Sequence, residues 1–207
     1  MVEHRDAART MAREWTVVGG LLLADRHGAA VDLVDTSVSG ESAAEGILPE
    51  RILLVANRRR GGALEWTPPG GVVDPGEAPI DALTREVIEE TGLEVDGWTG
   101  PCYRVRVDFP DREMTLDVEV YRAVSWSGTI AIDDPDGIVE DARFVGTDEV
   151  QDLVTTAPPW VREPLGAWLA GPDRDGCTTH GFIARGRRPD DLVVERLAER
   201  SFDPPGT

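Results

Sequence analysis

The chemistry available to this sequence is concentrated in three glutamates, Glu86, Glu89 and Glu90, with Arg85 immediately before the first. On a helix, spacing of i, i+3 and i+4 gathers their carboxylates on one arc of about 100°. Like charges so arranged repel by about 0.3 kcal/mol per pair when exposed, and by more when the face is covered. A hard divalent cation offsets that cost, because Mg²⁺ or Mn²⁺ prefers carboxylate oxygens and keeps positions open for water and phosphate. On an arbitrary helix such a trio is usually no more than a solvated acidic face, so the neighbouring residues must decide.

Those neighbours favour a site. Glu77-Ala78-Pro79 is a helix start and Gly92 a left-handed stop, which predicts a helix of about 13 residues. Ile80, Leu83 and Val87 fall within about 60° of arc with Ile88 flanking them, so one stripe packs and the next is acidic. Upstream, the turn Pro68-Pro69-Gly70-Gly71 can bring backbone N–H groups of Gly70 and Gly71 against a phosphate. Arg58, at the end of an apolar run and before Arg59 and Arg60, is placed to grip a phosphate oxygen pair.

Between Gly71 and Leu93 the chain reads GVVDPGEAPIDALTREVIEETGL. This segment is similar to the Nudix box, Gly-x5-Glu-x7-Arg-Glu-U-x-Glu-Glu-x-Gly-U with U a bulky aliphatic residue. All nine constrained positions are matched without a gap over 23 residues. Trp66 to Gly70 resembles the family's W-x-x-P-G lead-in, and Ala142-Arg143-Phe144-Val145 resembles its usual late strand. The resemblance implies an α/β/α sandwich with a mixed β-sheet and a loop-helix-loop metal site. It implies Mg²⁺, with Mn²⁺ as substitute, held by Glu86, Glu89 and Glu90, and Arg85 and Glu77 as orienting neighbours, Arg85 paired with a glutamate. The reaction implied is metal-assisted hydrolysis of a phosphoanhydride in a nucleoside triphosphate, canonical or oxidised, or in a nucleoside diphosphate derivative. An ADP-ribose or nucleotide-sugar pyrophosphatase is the second reading, and an inactive nucleotide-binding module the third. The general base is expected from Glu89 or Glu90, with Glu140 as the downstream candidate and Asp136 and Asp141 equally within reach.

The elements that must hold these residues are legible as patterns. Residues 15–24 and 52–56 are short apolar runs with β-branched residues, Leu64 to Trp66 a further strand, and Glu94–Val107 with Met114–Val124 a long hairpin about Pro110-Asp111-Arg112. Asp133 to Gly137 is an acidic loop before the Ala142–Val145 strand. A short helix is expected over Asp148–Val154 and an amphipathic one over Val161 to Leu169. Three parts result: a mobile lead-in over 1–14, a catalytic domain over 15–155 containing a polar surface loop at 35–46, and a helical or irregular extension over 156–207. Trp66, Tyr103 and Phe109 are the aromatics within reach of a base, although core packing is the commoner role for such positions.

Composition excludes other classes. With 207 residues, 41% hydrophobic and 29% charged, the chain can bury a core. A net charge of −18 argues against a polynucleotide partner, which needs clustered Lys and Arg. No stretch approaches the roughly 20 apolar residues of a membrane span, so no membrane partner and a cytoplasmic location are expected. Cys102 and Cys177 lack CxxC spacing and are expected to be reduced; His4, His27 and His180 lack ligand spacing and are expected at the surface or in incidental roles. A small-molecule nucleotide is the expected partner, with a homodimer expected from family habit alone.

Overall fold

The computed structural model describes residues 13–30, 51–171 and 177–198. Most of the predicted lead-in and all of the predicted loop at 35–46 lie outside the described residues. The chain begins with β1 (Arg13–Leu21) and passes through Leu22 into β2 (Leu23–Ala24), followed by β3 (Arg51–Arg58), β4 (Leu64–Thr67) and helix α1 (Pro79–Thr91). Then come β5 (Glu94–Val95), β6 (Trp98–Phe109), β7 (Met114–Ala123), β8 (Trp126–Ser127) and β9 (Val139–Gly146). Helices α2 (Val150–Leu153) and α3 (Pro159–Ala170) precede β10 (Thr178–Arg185) and β11 (Val193–Arg196).

Two main sheets hold the described strands, apart from β5 and β8, which pair antiparallel with each other. One has the order β1-β7-β6-β10-β11, with β1 parallel to β7 and β10 parallel to β6; in the other β3 pairs with β2, β4 and β9. β3 explains why the sheets stack. Ile52 to Ala56 is entirely apolar and fully buried, so the strand must be covered on both faces. On one face Ile52 and Leu54 join Val105, Val107, Phe182, Leu165 and Trp168, which places α3 over the core between the sheets. On the other, Leu53 joins Val18, Leu22, Leu83 and Val87, which places α1. The result is a mixed-sheet α/β/α sandwich, as the sequence implied. Each of Leu83 and Val87, wholly removed from water, contributes about 2 kcal/mol to docking α1.

Three expectations need correction. The strand of β1 begins at Arg13 rather than Trp15, because Arg13 pairs with Met114 and its N–H donates to Glu113 O at 2.8 Å. Ile80 and Ile88 do not pack: they are 38% and 45% exposed, and the buried side of α1 is Ala82, Leu83, Val87 and Thr91. Ile88 stands about 140° around the helix from Leu83, and Ile80 lies in the first turn. Finally, the described part of the extension expected to pack on the domain as helix or irregular chain also contains strands: β10 extends the first sheet beside β6, and Phe182 and Ala184 share the core with Leu165 and Trp168.

Candidate functional site

Gly70 and Gly71 reach the site because the segment before α1 runs along β1. Gly20 N–H donates to Pro69 O at 2.8 Å, Val18 N–H to Gly71 O at 2.9 Å, and Val73 N–H to Thr16 O at 3.0 Å. A side chain at Gly70 would start 2.1 Å from Val18 O with φ at 144°, and one at Gly71 would start 2.4 Å from the Glu86 carboxyl group. Only glycine lets backbone and carboxylate approach so closely. At the far end of α1, Gly92 takes φ 71° and donates to Ile88 O, closing the helix in the predicted left-handed cap.

Glu90 is the most constrained of the three glutamates. It lies about 20° around the helix from Leu83, inside the packing stripe, and is 5% exposed. Its Oε2 accepts the Gly70 N–H at 2.8 Å. Burial pushes its carboxyl up to about 8, with Glu86 and Asp134 adding to the rise and Gly70 opposing it. Burial also raises Glu86, with Arg85 pulling it back and Glu89 and Asp136 pushing it further. Arg85 organises the group. Its Nε and Nη2 each donate to Glu77 at 3.1 Å, and its Nη1 donates to Glu86 at 2.8 Å and Glu89 at 3.2 Å. The hydrogen bonds from Arg85 hold the Glu77 carboxyl below the usual range. One guanidinium therefore ties the turn before the helix to two carboxylates on it.

The predicted acidic loop sits across the C-terminal end of α1, through Ala131 N–H to Thr91 O at 2.8 Å and Asp133 N–H to Glu89 O at 3.0 Å. Asp134 shapes it by accepting backbone N–H groups of Asp136, Ile138 and Val139. Asp134 and Asp136 face the same cleft as the glutamates.

Glu77, Gly70, Gly71, Arg85, Glu86, Glu89 and Glu90 are thus brought together, whereas Arg58 and Glu140 are not. Those two are bonded to each other at the surface, where the pairing raises the guanidinium and lowers the carboxyl. A β-bulge is the reason: Ala56 pairs with Asp141 and Asn57 with Val139, which leaves Glu140 as the extra residue of β9. Arg59 lines the cleft in place of Arg58, and pairs with Glu65 at 2.6 Å.

The cleft holds about 750 Å³. Away from the carboxylates it is walled by Tyr103, Val105, Val118, Val120 and Trp160, with Asn57 and Thr67 among the lining residues. Of the three aromatics singled out from the sequence, only Tyr103 lines it. Trp66 lies under the Arg143 guanidinium at 4.5 Å, and Phe109 is buried against Trp160. Trp160 and Asn57 were not singled out; a polar residue closing the fully apolar run of β3 was the available signal. His180, expected at the surface, is buried edge-on to Tyr103 and within hydrogen-bond distance of Thr178 and Arg196. Neither cysteine is in a disulfide; Cys102 is buried and Cys177 exposed.

An all-oxygen donor set with a buried carboxylate suits a hard divalent cation, since a carboxyl raised to about 8 is ionised at neutral pH only beside positive charge. Among the described residues no three acidic, His or Cys side chains stand ready as a ligand cluster. Glu86 and Glu89 are bonded to Arg85 and Glu90 to Gly70 through one carboxylate oxygen each, which leaves the second oxygen of each outside these bonds. One cleft thus combines the carboxylates of α1 with apolar and aromatic side chains.

Comparison with known proteins agrees. A NUDIX domain family model matches residues 43–168. The chain is 34% identical over 88 residues to a Danio rerio protein named oxidized purine nucleoside triphosphate hydrolase, covering 42% of this chain and 56% of that one. It is 45% identical over 51 residues to a Proteus vulgaris 8-oxo-dGTP diphosphatase, covering 25% and 45%. The chain thus spans about half the length of the curated relatives it matches. A solved NUDIX hydrolase from Nitrosomonas europaea superposes with a TM-score of 0.55 at 20% identity, covering 77% of this chain and 90% of that one, which shows a common fold.

Proposed function

This chain belongs to the NUDIX family, and on that premise we propose that it hydrolyses a phosphoanhydride bond of a purine nucleoside triphosphate, canonical or oxidised, with Mg²⁺ held by Glu86, Glu89 and Glu90. The observation that carries the reading is one cleft lined both by the carboxylates and glycines of the α1 region and by apolar and aromatic side chains. The names of the Danio rerio and Proteus vulgaris relatives support a purine triphosphate over a nucleotide sugar.

A bound divalent ion neutralises phosphate oxygens and lowers the pKa of water at the site. The chain's own residues do the positioning. Gly70 and Gly71 let the backbone before α1 lie directly against β1 and the Glu86 carboxyl, and Gly70 N–H is taken up by Glu90. Glu90, anchored by Gly70 N–H, fixes one ligand position without rotamer freedom. Glu86 and Glu89 would hold the ion, and the two bonds from Arg85 to Glu77 would keep the guanidinium in place beside them. Glu89, the more exposed of the carboxylates bonded to Arg85, accepts the proton of the attacking water at its carboxylate oxygen. Water oxygen bonds to phosphorus, the bridging P–O bond breaks, and the leaving phosphate departs as an anion.

Release of phosphate and diphosphate tests this, measured with Mg²⁺ and with Mn²⁺ on canonical and oxidised nucleoside triphosphates, ADP-ribose, nucleotide sugars and dinucleoside polyphosphates. Metal-dependent turnover that collapses in Glu89→Gln and Glu90→Gln is expected. Turnover unaffected by both substitutions refutes the assigned site, and best turnover on ADP-ribose or a nucleotide sugar refutes the substrate class.

A further inference from the structure

Asn57 stands out among the buried polar groups. It is 6% exposed, lies on β3 and lines the cleft. Its Nδ2 donates to Thr67 Oγ1 at 3.1 Å, but among the described residues its Oδ1 has no hydrogen-bond partner. Burying an amide oxygen without a donor is costly, and the five residues before it, Ile52 to Ala56, are apolar and buried, so a leucine would be the cheaper residue here. Such a group is retained where a ligand supplies the missing donor.

We propose that Asn57 reads the nucleobase: its Oδ1 accepts an N–H of the base, and the Thr67 hydroxyl, held by the Asn57 amide, donates to the neighbouring ring oxygen or nitrogen. Three features favour a base over any other donor. The walls near it, Tyr103, Val105 and Trp160, offer apolar and aromatic surface to a planar ring. The acidic helix and the Gly70–Gly71 backbone line the same cleft, so a nucleotide can touch both ends at once. The β-bulge opposite Asn57 turns Glu140 out to the surface, which keeps a competing carboxylate away from the base. An analogue lacking the N–H would leave Oδ1 buried and unpaired, which is how a buried polar group discriminates strongly. This inference rests on the nucleotide reading of the cleft and assigns its specificity.

The test compares Asn57→Leu and Thr67→Val with the native protein in Mg²⁺. Affinity for guanosine and adenosine monophosphates and for ribose 5-phosphate is measured by ligand-observed NMR, and hydrolysis of inorganic tripolyphosphate alongside. Expected is a roughly tenfold loss of nucleotide affinity in Asn57→Leu, a smaller loss in Thr67→Val, and in both a distinctly smaller loss of ribose 5-phosphate binding and tripolyphosphate turnover than of nucleotide affinity. Thermal stability should hold or rise in Asn57→Leu, since an unsatisfied acceptor is removed. Equal losses on nucleotide and ribose phosphate, or a fall in melting temperature accounting for every loss, overturns the assignment. If no phosphoanhydride is turned over yet nucleotide affinity still depends on Asn57, the base site stands and the hydrolase reading falls. If turnover is robust but blind to Asn57, the reverse holds.

Discussion

Glu90→Gln separates the site's electrostatics from its chemistry. A folded-state carboxyl that titrates near 8 instead of 4.5 holds its proton more tightly by roughly 5 kcal/mol, at about 1.36 kcal/mol per pH unit. Relaxation and water entering the cleft reduce this to on the order of 3 kcal/mol. Because the folded value is raised, the stabilisation is complete below pH 4.5 and is lost as pH rises through 8. Glutamine has nearly the same shape, can still accept the Gly70 N–H, and does not titrate. In the presence of a chelator the variant should therefore match the native protein near pH 5 and exceed it near pH 8.5. For a chain of this size the difference corresponds to about 6 to 12 °C in melting temperature. Mg²⁺ should restore the native protein at high pH and leave the variant unmoved, because only the carboxylate gains by ionising beside a cation. Melting curves by circular dichroism across pH 5 to 8.5, with and without Mg²⁺, check this. A gap between the two proteins that does not change with pH would refute burial as the cause of the raised carboxyl.

Three further outcomes follow from the geometry. Gly71→Ala puts a methyl 2.4 Å from the Glu86 carboxyl group and should cost about 100-fold in kcat by displacing it, with cooperative unfolding retained; steady-state kinetics beside a melting curve measures both. Arg85→Lys keeps the charge but cannot make the paired bonds to Glu77 while reaching Glu86, so kcat/KM should fall at least tenfold and not recover at high Mg²⁺. Arg58→Ala and Glu140→Gln, at a surface ion pair outside the cleft, should each change kcat/KM by less than about twofold; a large loss in either would return Glu140 to the catalytic residues.

How far the sequence could be read depended on whether a residue's role is local. α1 is local: Pro79 at its start, Gly92 at its end, and Leu83 and Val87 on one face were all visible, and the helix runs from Pro79 to Thr91. The turn at Gly70 and Gly71 was visible too, but not that Gly70 N–H would be given to Glu90, twenty residues on. Arg58 and Glu140 were misplaced for a non-local reason. Their orientation is set by a register shift between β3 and β9, and nothing in either strand alone announces which residue will be extra. β10 was missed because its parallel partner β6 lies some 75 positions earlier in the chain, and Gly181 interrupts an otherwise strand-like alternation. Asn57 and Trp160 became site residues only once the two sheets were stacked.

The position of Glu90 shows how one helix serves packing and chemistry together. At i+3 from Val87 it belongs to the packing stripe, and at i+4 from Glu86 it belongs to the acidic one, so α1 cannot dock without burying a carboxyl. The fold meets that cost with a backbone donor from Gly70 on one side and ionisable neighbours on the other. A solvated acidic face would have kept all three glutamates on the outer side of the helix, whereas Glu90 is 5% exposed and Ile88 is 45% exposed. Apolar residues facing water and a carboxyl facing the core reverse the ordinary preference at the same helix, and the reversal is intelligible if the buried carboxyl has a cation to hold.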